Sequence, residues 1–220
     1  MQQQEKMLRE KLAQVYWIGG SPCAGKSAVA TLLAARSGWP LYQADEASPR
    51  HEKMVTPEQQ PLFYKLIHLS SEEVWMMRSV EQQAAEEVQF YREEFPLILQ
   101  DLLAFPHSQP VLVEGTALLP ECVIPLLGQR HQATWMVPTE EFQRTHYRHR
   151  AWAKEIVKEC SDPEQAFENW MQRDRRFSAS IERDALQRGM SVLVVDGTRS
   201  LDETVTLVEQ SLRLAPSCLP

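Results

Sequence analysis

The strongest constraint on this chain is a glycine-rich turn between an apolar run and a run of small residues. The apolar run Val15–Ile18 predicts a buried strand, and the small residues from Ala28 to Ala35 predict a helix. Residues 20–27 read GSPCAGKS, which fits the pattern G-x-x-x-x-G-K-[ST]. A strand, this loop and a helix in succession predict a phosphate-binding loop. The alternative is an ordinary glycine turn with a solvent-exposed lysine.

Each fixed position of the loop has a physical reason. Gly20 and Gly25 permit backbone angles and a close approach that a Cβ atom would block. Successive loop amides and the N-terminus of the following helix form a concave site for phosphates. Lys26 is expected to reach the β- and γ-phosphates, and the Ser27 hydroxyl is expected to hold magnesium. The expected cofactors are therefore ATP and Mg²⁺. The expected nucleotide contacts in the loop are Gly20, Ser21, Pro22, Cys23, Ala24, Gly25, Lys26, Ser27 and Ala28.

Four further apolar runs recur at wide spacing and predict strands. They are Leu41–Ala44, Val111–Val113, Ala133–Val137 and Val192–Val195. Runs rich in Val, Leu and Ile with helical stretches between them indicate a parallel sheet that is covered on both faces. The sequence therefore predicts a single α/β domain over residues 1–220, built on a doubly wound, five-stranded parallel sheet.

Three of the five predicted strands are followed by, or end in, an acidic residue, namely Asp45, Glu114 or Asp196. Ligands of this fold class bind beyond the carboxyl ends of the strands. A carboxylate there can accept the proton of a hydroxyl group or bind a magnesium-coordinated water. Chain order favours Glu114 over Asp196. We expect Ser27, Asp45 and Glu114 to hold the metal, and the two carboxylates to act in catalysis with Lys26. For Asp45 the alternative is a helix N-cap.

Two long helical segments separate the predicted strands. Residues 57–108 form a helical insertion, in which Pro96 is predicted to separate two helices. Residues 139–189 are predicted to form an arginine-rich helical hairpin with few large apolar residues. Its first helix begins at Thr139, and its second has Asp162 as the N-cap.

Arginines of the hairpin are candidates for neutralising the charge that phosphoryl transfer spreads over the γ-phosphoryl oxygens. Arg144 and Arg148 are favoured because they share one helix face at i, i+4. Arg173 of the second helix is the third candidate. The alternative is a solvated basic face that pairs with neighbouring glutamates.

Composition narrows the classes of protein that remain. With 43% hydrophobic and 24% charged residues among 220, the chain has the make-up of a soluble globular protein. Its net charge of −7 makes nucleic acid an unlikely partner. The four cysteines, Cys23, Cys122, Cys160 and Cys218, form no C-x-x-C pair, which argues against a zinc site and indicates a reducing, cytoplasmic compartment. No apolar segment is long enough to span a bilayer, so no membrane partner is expected. The oligomeric state is left open.

Some residues are predicted to have no chemical role. Cys23 is interpreted as a small loop residue, although the positive loop could lower the pKa of its thiol. The tail from Ala215 to Pro220 is predicted to fray. The following histidines show no ligand spacing and are predicted to lie on the surface: His51, His68, His107 and His131.

Taken together, four features resemble the P-loop small-molecule kinase group. They are the loop, its spacing to Asp45, the run Val111–Gly115, and the arginine-rich segment before the last strand. The group includes nucleoside monophosphate kinases, shikimate and gluconate kinases and chloramphenicol phosphotransferase. The stretch Glu114–Pro120 is also similar to the corresponding stretch of 2-phosphoglycerate kinase. The resemblance covers most of the chain, and the loop is its specific part.

The resemblance implies roles for several positions. Asp45 matches an acid that contacts the acceptor hydroxyl or magnesium, and Glu114 matches the acid after the strand beside the loop. Residues 57–108 match an acceptor-binding subdomain, and the arginines of residues 139–189 match a mobile lid that closes over the phosphates.

The resemblance also places adenine near Thr198 and Arg199, which follow the last predicted strand. One departure leaves the acceptor open. Glu114 and Gly115 are followed neither by the Pro-Arg pair of adenylate kinases nor by the glycine triplet of shikimate kinases.

The sequence thus predicts ATP-dependent phosphoryl transfer to a hydroxyl group of a small metabolite. A GTPase would need an Asn-Lys-x-Asp motif, and the sole asparagine, Asn169, is followed by Trp170. A nucleotide-hydrolysing regulatory ATPase would have a hydrophobic strand that ends in Asp-Glu, and no predicted strand does. A polynucleotide or tRNA kinase is the other alternative, which a steep salt dependence of acceptor binding would reveal.

Overall fold

The computed structural model describes residues 2–105 and 109–214, so the predictions for His107 and for the tail 215–220 lie outside the described residues. The strands are β1 (Val15–Gly20), β2 (Leu41–Gln43), β3 (Val111–Glu114), β4 (Ala133–Pro138) and β5 (Val192–Val195). The helices are α1 (Gln2–Lys11), α2 (Lys26–Ser37), α3 (Ala44–His51), α4 (Pro61–Leu66), α5 (Ser71–Trp75), α6 (Val80–Ala104), α7 (Pro120–Val123), α8 (Glu140–His149), α9 (Ala151–Val157), α10 (Pro163–Gln187) and α11 (Leu201–Ser211). Short 3₁₀ turns span Ile124–Leu126 and Arg130–Gln132.

All five strands run parallel, in the order β2-β3-β1-β4-β5. β1 is central: its Ile18 lies opposite Glu114 of β3, and its Gly20 lies opposite Met136 of β4. The predicted five-stranded parallel sheet is therefore confirmed. Because β1 and β3 are neighbours with aligned ends, the loop after β1 and the acid at the end of β3 meet at one edge of the sheet.

Helices cover both faces of the sheet, so its central strands are buried on both sides and read as continuous apolar runs. On one face, α2 and α11 bury Leu33 and Val205 against the strands. On the other face, α6 and α10 contribute Ile98 and Phe177 to a core that also contains Trp17. Within the described ranges, none of the helices is both long and apolar enough to cross a membrane.

The prediction that Pro96 separates two helices is wrong, because α6 continues through it for 25 residues in all. Proline has no N–H, so the helix loses the hydrogen bond to the carbonyl of Arg92. The flanking residues Phe95, Leu97 and Ile98 are all buried. Packing of these side chains on both sides of the proline keeps the helix continuous despite the missing bond.

The segment 139–189 contains three helices, not the predicted two. The additional helix, α9, follows a break at Arg150, whose backbone is extended with φ −89° and ψ 116°. The expectation of few large apolar residues is also wrong. Phe177 and Ile181 of α10 are buried in the main core, and Trp170 is buried in a separate cluster with α8 and α9. The second half of α10 is thus part of the packed domain, and lid motion of the segment stays a prediction.

Gly19→Ala should destabilise the fold, because β1 packs at this residue without room for a methyl group. A Cβ at Gly19 would lie 2.4 Å from Trp135 Nε1 and 2.6 Å from the Leu118 carbonyl oxygen. Those two atoms form a hydrogen bond of 2.8 Å, which the methyl group would disturb. We expect a loss of about 1–3 kcal/mol in the free energy of unfolding, measured by chemical denaturation.

Gly128→Ala is the matched control, since its Cβ would meet only the end of the Gln132 side chain, at 3.2 Å. Equal denaturation midpoints for the two variants would contradict the tight packing inferred at Gly19.

Candidate functional site

A cleft of about 510 Å³ opens beyond the carboxyl ends of β1 and β3. Three parts of the chain line it: the loop with the start of α2, the cleft-facing residues of α3 and α6, and three single residues from elsewhere. The lining residues are Pro22, Cys23, Gly25, Lys26, Ser27, Ala28, Asp45, Ser48, Phe90, Tyr91, Glu94, Thr116, Tyr147 and Arg150. The structure therefore brings the predicted loop together with Asp45 and with a helix of the predicted insertion.

The loop holds its shape through left-handed backbone angles and a contact with β4. Gly20 has a φ of 131°, and a Cβ there would lie 1.9 Å from the Met136 carbonyl oxygen. The Ser21 N–H donates a hydrogen bond of 3.0 Å to the same oxygen. Gly25, with a φ of 77°, is the N-cap of α2, so the helix begins at Lys26. The first amides of a helix lack partners within it, and the cleft lies against them.

Lys26 joins two elements of the site. Its side chain is only 5% exposed. The ammonium group donates a hydrogen bond of 2.9 Å to the Ser21 carbonyl oxygen and one of 3.2 Å to Thr116 Oγ1. The loop after β1 is thereby tied to the residue that lies just beyond β3.

Asp45 lies in the first turn of α3 and holds the same threonine. Its Oδ1 accepts the Thr116 N–H at 2.9 Å, and its Oδ2 accepts the Thr116 hydroxyl at 3.1 Å. The close approach depends on Gly115, where a Cβ would lie 2.6 Å from the Cβ of Ala44. A carboxylate has about four acceptor positions, so Asp45 keeps the capacity to accept from a ligand in the cleft.

Glu114 ends β3 and is fully buried. Gln43 donates a hydrogen bond of 3.3 Å to its Oε1, whereas its Oε2 has no partner among the residues that the structure describes. Burial raises the pKa of Glu114; Lys26 opposes that shift, and Asp45 adds to it. An unpartnered, buried carboxylate oxygen beside an ammonium group is costly to maintain, which makes it a functional candidate.

The arginines that the sequence favoured do not line the cleft. Arg144 is held by ion pairs with Glu140 at 3.0 Å and Glu168 at 2.6 Å. Arg148 is exposed and lines a separate groove between α8 and α10. The arginine that does line the cleft is Arg150, at the break between α8 and α9. The helical pattern in the sequence favoured Arg144 and Arg148, which are spaced i, i+4. It could not indicate that Arg150, where α8 ends, would line the cleft.

Arg173 belongs instead to a buried ion cluster between α6 and α10. Its guanidinium lies 2.6 Å from Asp174 Oδ1, 3.1 Å from Glu87 Oε2 and 4.8 Å from the centre of the Trp75 ring. Burial raises the pKa of Glu87 to about 8, although Arg173 opposes the shift. Burial raises the pKa of Asp174 as well. Glu87 and Asp174 share one guanidinium, so Arg173 is already occupied in holding the two helices together.

The predicted adenine contacts lie apart from the cleft lining. Thr198 and Arg199 are exposed in the loop after β5. Asp196 Oδ1 accepts hydrogen bonds from the Thr198 N–H at 3.0 Å and from its hydroxyl at 2.7 Å, which fixes the turn. The structure thus assigns a turn-forming role to Asp196, and the adenine contact stays a prediction.

A wall of the cleft comes from α6, through Phe90, Tyr91 and Glu94. The prediction that His51 lies on the surface is wrong: it is fully buried behind this wall. His51 Nδ1 lies 3.0 Å from Glu94 Oε1 and serves to hold that carboxylate. Sequence reasoning missed this pair because its members lie 43 positions apart, on different helices.

The loop cysteine does not have the lowered pKa that was the alternative to its interpretation as a small loop residue. Cys23 has a left-handed backbone with φ 65°, and its thiol lines the cleft. Burial raises the pKa of the thiol, and this effect exceeds the opposite influence of Arg150 and Lys26. Cys23 is therefore not an activated thiol. The described residues also contain no cluster of three or more His, Cys, Asp or Glu side chains that could hold a metal unaided.

Comparison with solved structures finds chains that match over nearly their full length at low sequence identity. TT1252 from Thermus thermophilus is 17% identical, with a TM-score of 0.48 over 92% of this chain and 98% of that chain. A protein from Chloroflexus aurantiacus named a "putative kinase" is 18% identical, with a TM-score of 0.40 over 90% and 98%. An uncharacterized protein from Eubacterium ventriosum is 13% identical, with a TM-score of 0.38 over 91% and 99%.

No protein-family profile matches the chain, and no curated protein matches it either. Identities and TM-scores this low identify no family. The fold is that of an α/β protein with a five-stranded parallel sheet.

Glu87→Gln should weaken the pH dependence of stability. The folded protein holds a proton on Glu87 between its ordinary pKa of 4.5 and about 8, where the unfolded chain has lost it. Stability that depends on this proton is therefore lost as pH rises through that window. Between pH 5 and pH 8 we expect the wild type to lose a few kcal/mol more stability than the variant, since one pKa unit corresponds to about 1.4 kcal/mol; each kcal/mol corresponds to about 2–4 °C in Tm for a chain of this size.

Thermal unfolding at pH 5 and pH 8 measures the difference, with the exposed Glu81 of the same helix changed to Gln as the control. An unchanged difference between the two pH values in Glu87→Gln would contradict the raised pKa.

Proposed function

We propose that this protein is an ATP-dependent kinase that transfers a phosphoryl group to a hydroxyl group of a small molecule. One observation carries the proposal: the Lys26 ammonium lies at the start of α2, tied to the loop and to Thr116, beside the buried and unpartnered oxygen of Glu114. Such an arrangement is suited to a polyphosphate with a divalent cation, since it offers amides, one ammonium group and one oxygen ligand at one point.

In this proposal the loop from Gly20 to Ala28 binds the phosphates of ATP. The free amides at the start of α2 and the positive end of the helix dipole favour anions there. Lys26 would contact the β- and γ-phosphates by exchanging part of its present hydrogen bonding for the nucleotide. Thr198 and Arg199 are proposed as adenine contacts on the resemblance alone.

The donor set fits Mg²⁺. This ion takes oxygen ligands and is commonly bound by one or two carboxylates together with substrate phosphates and water. The Ser27 hydroxyl, Glu114 and Asp45 supply such oxygens, and the orphaned Oε2 of Glu114 is the atom that most needs a partner. Bound there, Mg²⁺ would neutralise charge on the phosphates.

Asp45 is proposed to act on the acceptor. It lines the cleft between the loop and α6, and its oxygens are fixed by Thr116. Fixed in this way, the carboxylate can orient the acceptor hydroxyl and accept its proton as the oxygen attacks the γ-phosphorus. We propose Arg150, together with Lys26, as the cation that neutralises the transferring group, because both line the cleft. In this proposal Arg150 takes the role for which the sequence favoured Arg144, Arg148 and Arg173.

Lys26→Ala should weaken binding of Mg-ATP by roughly 10- to 100-fold. A hydrogen bond to a charged group contributes about 1.5–3 kcal/mol, and about 1.4 kcal/mol corresponds to a factor of ten. Isothermal titration calorimetry measures the affinity, and circular dichroism checks the fold. Lys26→Met keeps the apolar stem if the alanine variant unfolds.

Lys53→Ala, which removes an exposed lysine after α3, is the control for lost charge. If Mg-ATP binds equally well to folded Lys26→Ala and to Lys53→Ala, the phosphate-binding role of the loop is wrong.

Arg150→Ala should slow phosphoryl transfer by roughly 10²–10³-fold, because it removes a cationic donor from the charge that develops in the transition state. The rate of γ-phosphoryl loss from Mg-ATP, with water as the acceptor, provides the measurement. Arg144→Ala is the matched control: it removes an arginine of α8 outside the cleft, together with its ion pairs to Glu140 on α8 and Glu168 on α10, and circular dichroism checks that the variant is folded. Should Arg144→Ala slow transfer as much as Arg150→Ala, the assignment of Arg150 would fail.

A further inference from the structure

The cationic and the anionic side chains of the cleft lining come from different elements. Among the residues that the structure describes, Lys26 and Arg150 are the cationic side chains in the lining. Both lie at the loop: Lys26 is hydrogen-bonded to Ser21, and the charge of Arg150 acts on the thiol of Cys23. The helices α3 and α6 contribute the carboxylates Asp45 and Glu94, of which Asp45 shares Thr116 with Lys26.

A chain of hydrogen bonds behind the cleft wall holds Glu94 in place. Glu94 is 2% exposed, and His51 Nδ1 holds its Oε1 at 3.0 Å. His51 Nε2 in turn lies 2.9 Å from Oδ2 of Asp101. Asp101 is itself held by Arg50 at 2.8 Å and by the Tyr42 hydroxyl at 2.6 Å. This chain of contacts connects α3, α6 and β2 behind the cleft wall.

The buried histidine lies between two carboxylates that together favour its charged form. Burial alone would lower the pKa of His51, but its hydrogen bonds with Glu94 and Asp101 outweigh burial and raise it. When it is protonated, His51 donates to both carboxylates. Among the described residues, His51 is the hydrogen-bond partner of Glu94, which leaves the second oxygen, Oε2, for a ligand in the cleft.

This distribution of charge restricts the acceptor. Once the phosphates of a nucleotide occupy Lys26 and Arg150, no lining cation is left for a second anion. A phosphate or carboxylate on the acceptor would instead meet Asp45 and Glu94, and unpaired like charges in a cleft are strongly unfavourable. An ammonium group carries three donors, but among the described residues Oε2 of Glu94 is the one oxygen of these two carboxylates that has no protein partner, because Asp45 accepts from Thr116 with both of its oxygens. Hydroxyl groups suit the site, because they can donate to Oε2 while Phe90 and Tyr91 cover carbon atoms.

We propose, on the basis of the kinase function proposed above, that Glu94 is the acceptor-binding carboxylate and that the acceptor is an uncharged polyhydroxy compound. His51 is then a positioning residue that keeps Glu94 against the cleft. The bond that breaks joins the γ-phosphorus to its bridging oxygen, and the bond that forms joins that phosphorus to an acceptor oxygen. The hydroxyl proton leaves through Asp45, and ADP is the leaving group.

Transfer of label from γ-labelled ATP to matched alcohols tests the acceptor class. Each set carries one skeleton in four forms: uncharged, with an ammonium, with a carboxylate and with a phosphate. Suitable sets are built on sorbitol, ribose and inositol. We expect label on uncharged members at a kcat/KM at least about tenfold above their charged relatives, the discrimination that about 1.4 kcal/mol provides. Equal or better use of an anionic or ammonium form overturns the proposal.

Failure of this inference is distinguishable from failure of the kinase function. No transfer to any set overturns the polyhydroxy acceptor, while calorimetry with Lys26→Ala still decides whether the loop binds Mg-ATP. If the wild-type protein does not bind Mg-ATP, both the proposed kinase function and the inferred acceptor class are wrong.

A pair of variants tests the role of Glu94 in binding the acceptor. With the uncharged acceptor that the sets identify, Glu94→Gln should raise the acceptor KM at least about tenfold and leave the KM for ATP unchanged, since a hydrogen bond to a charged group is lost. Glu94→Asp keeps the negative charge on a side chain that is one carbon shorter, so it should raise the acceptor KM by less. It serves as the test variant if Glu94→Gln does not fold. Glu81→Gln, on the same helix outside the cleft, is the control. An unchanged acceptor KM in folded Glu94→Gln overturns the assignment.

Discussion

The ammonium group of Lys26 is the contact on which the carboxyl end of the sheet depends. Its hydrogen bonds with the Ser21 carbonyl and the Thr116 hydroxyl join the loop after β1 to the chain beyond β3. Asp45 holds the same threonine from α3, and Glu114 lies beside them without full hydrogen bonding. A cation buried to this extent requires partners. The loop after β1, the chain beyond β3 and helix α3 are therefore positioned relative to one another by the charge of Lys26.

A second buried cation fixes the far wall of the cleft. Arg173 contacts Glu87 of α6 and Asp174 of its own helix, α10, and α10 also places Phe177 in the main core. α6 is thus also held by α10. A fixed wall suits the proposed reaction, in which a hydroxyl group must lie close to a phosphoryl group, because small displacements reduce transfer rates strongly.

The strands and the loop could be predicted from the sequence, whereas half of the cleft could not. Buried parallel strands leave apolar runs, and the loop leaves a fixed spacing of Gly20, Gly25 and Lys26, so both signals are local. Glu94 and His51 meet only after α3 and α6 pack together, and no spacing records their contact. Arg150 lines the cleft because α8 ends there, which helical periodicity cannot indicate. Pro96 misled the prediction because packing on both sides outweighed a local rule.

The charged side chains of the cleft lining favour different positions for the two proposed ligands. In the proposed reaction, Lys26 and Arg150 would attract the phosphates of the nucleotide to the loop, whereas the carboxylate of Glu94 would disfavour them beside α6. Arg150 forms no ion pair among the described residues and lies 5.4 Å from the centre of the Tyr147 ring, so its charge is available to a ligand. In the proposed reaction, the nucleotide would thus lie at the loop and the uncharged acceptor beside Glu94, within one cleft of about 510 Å³.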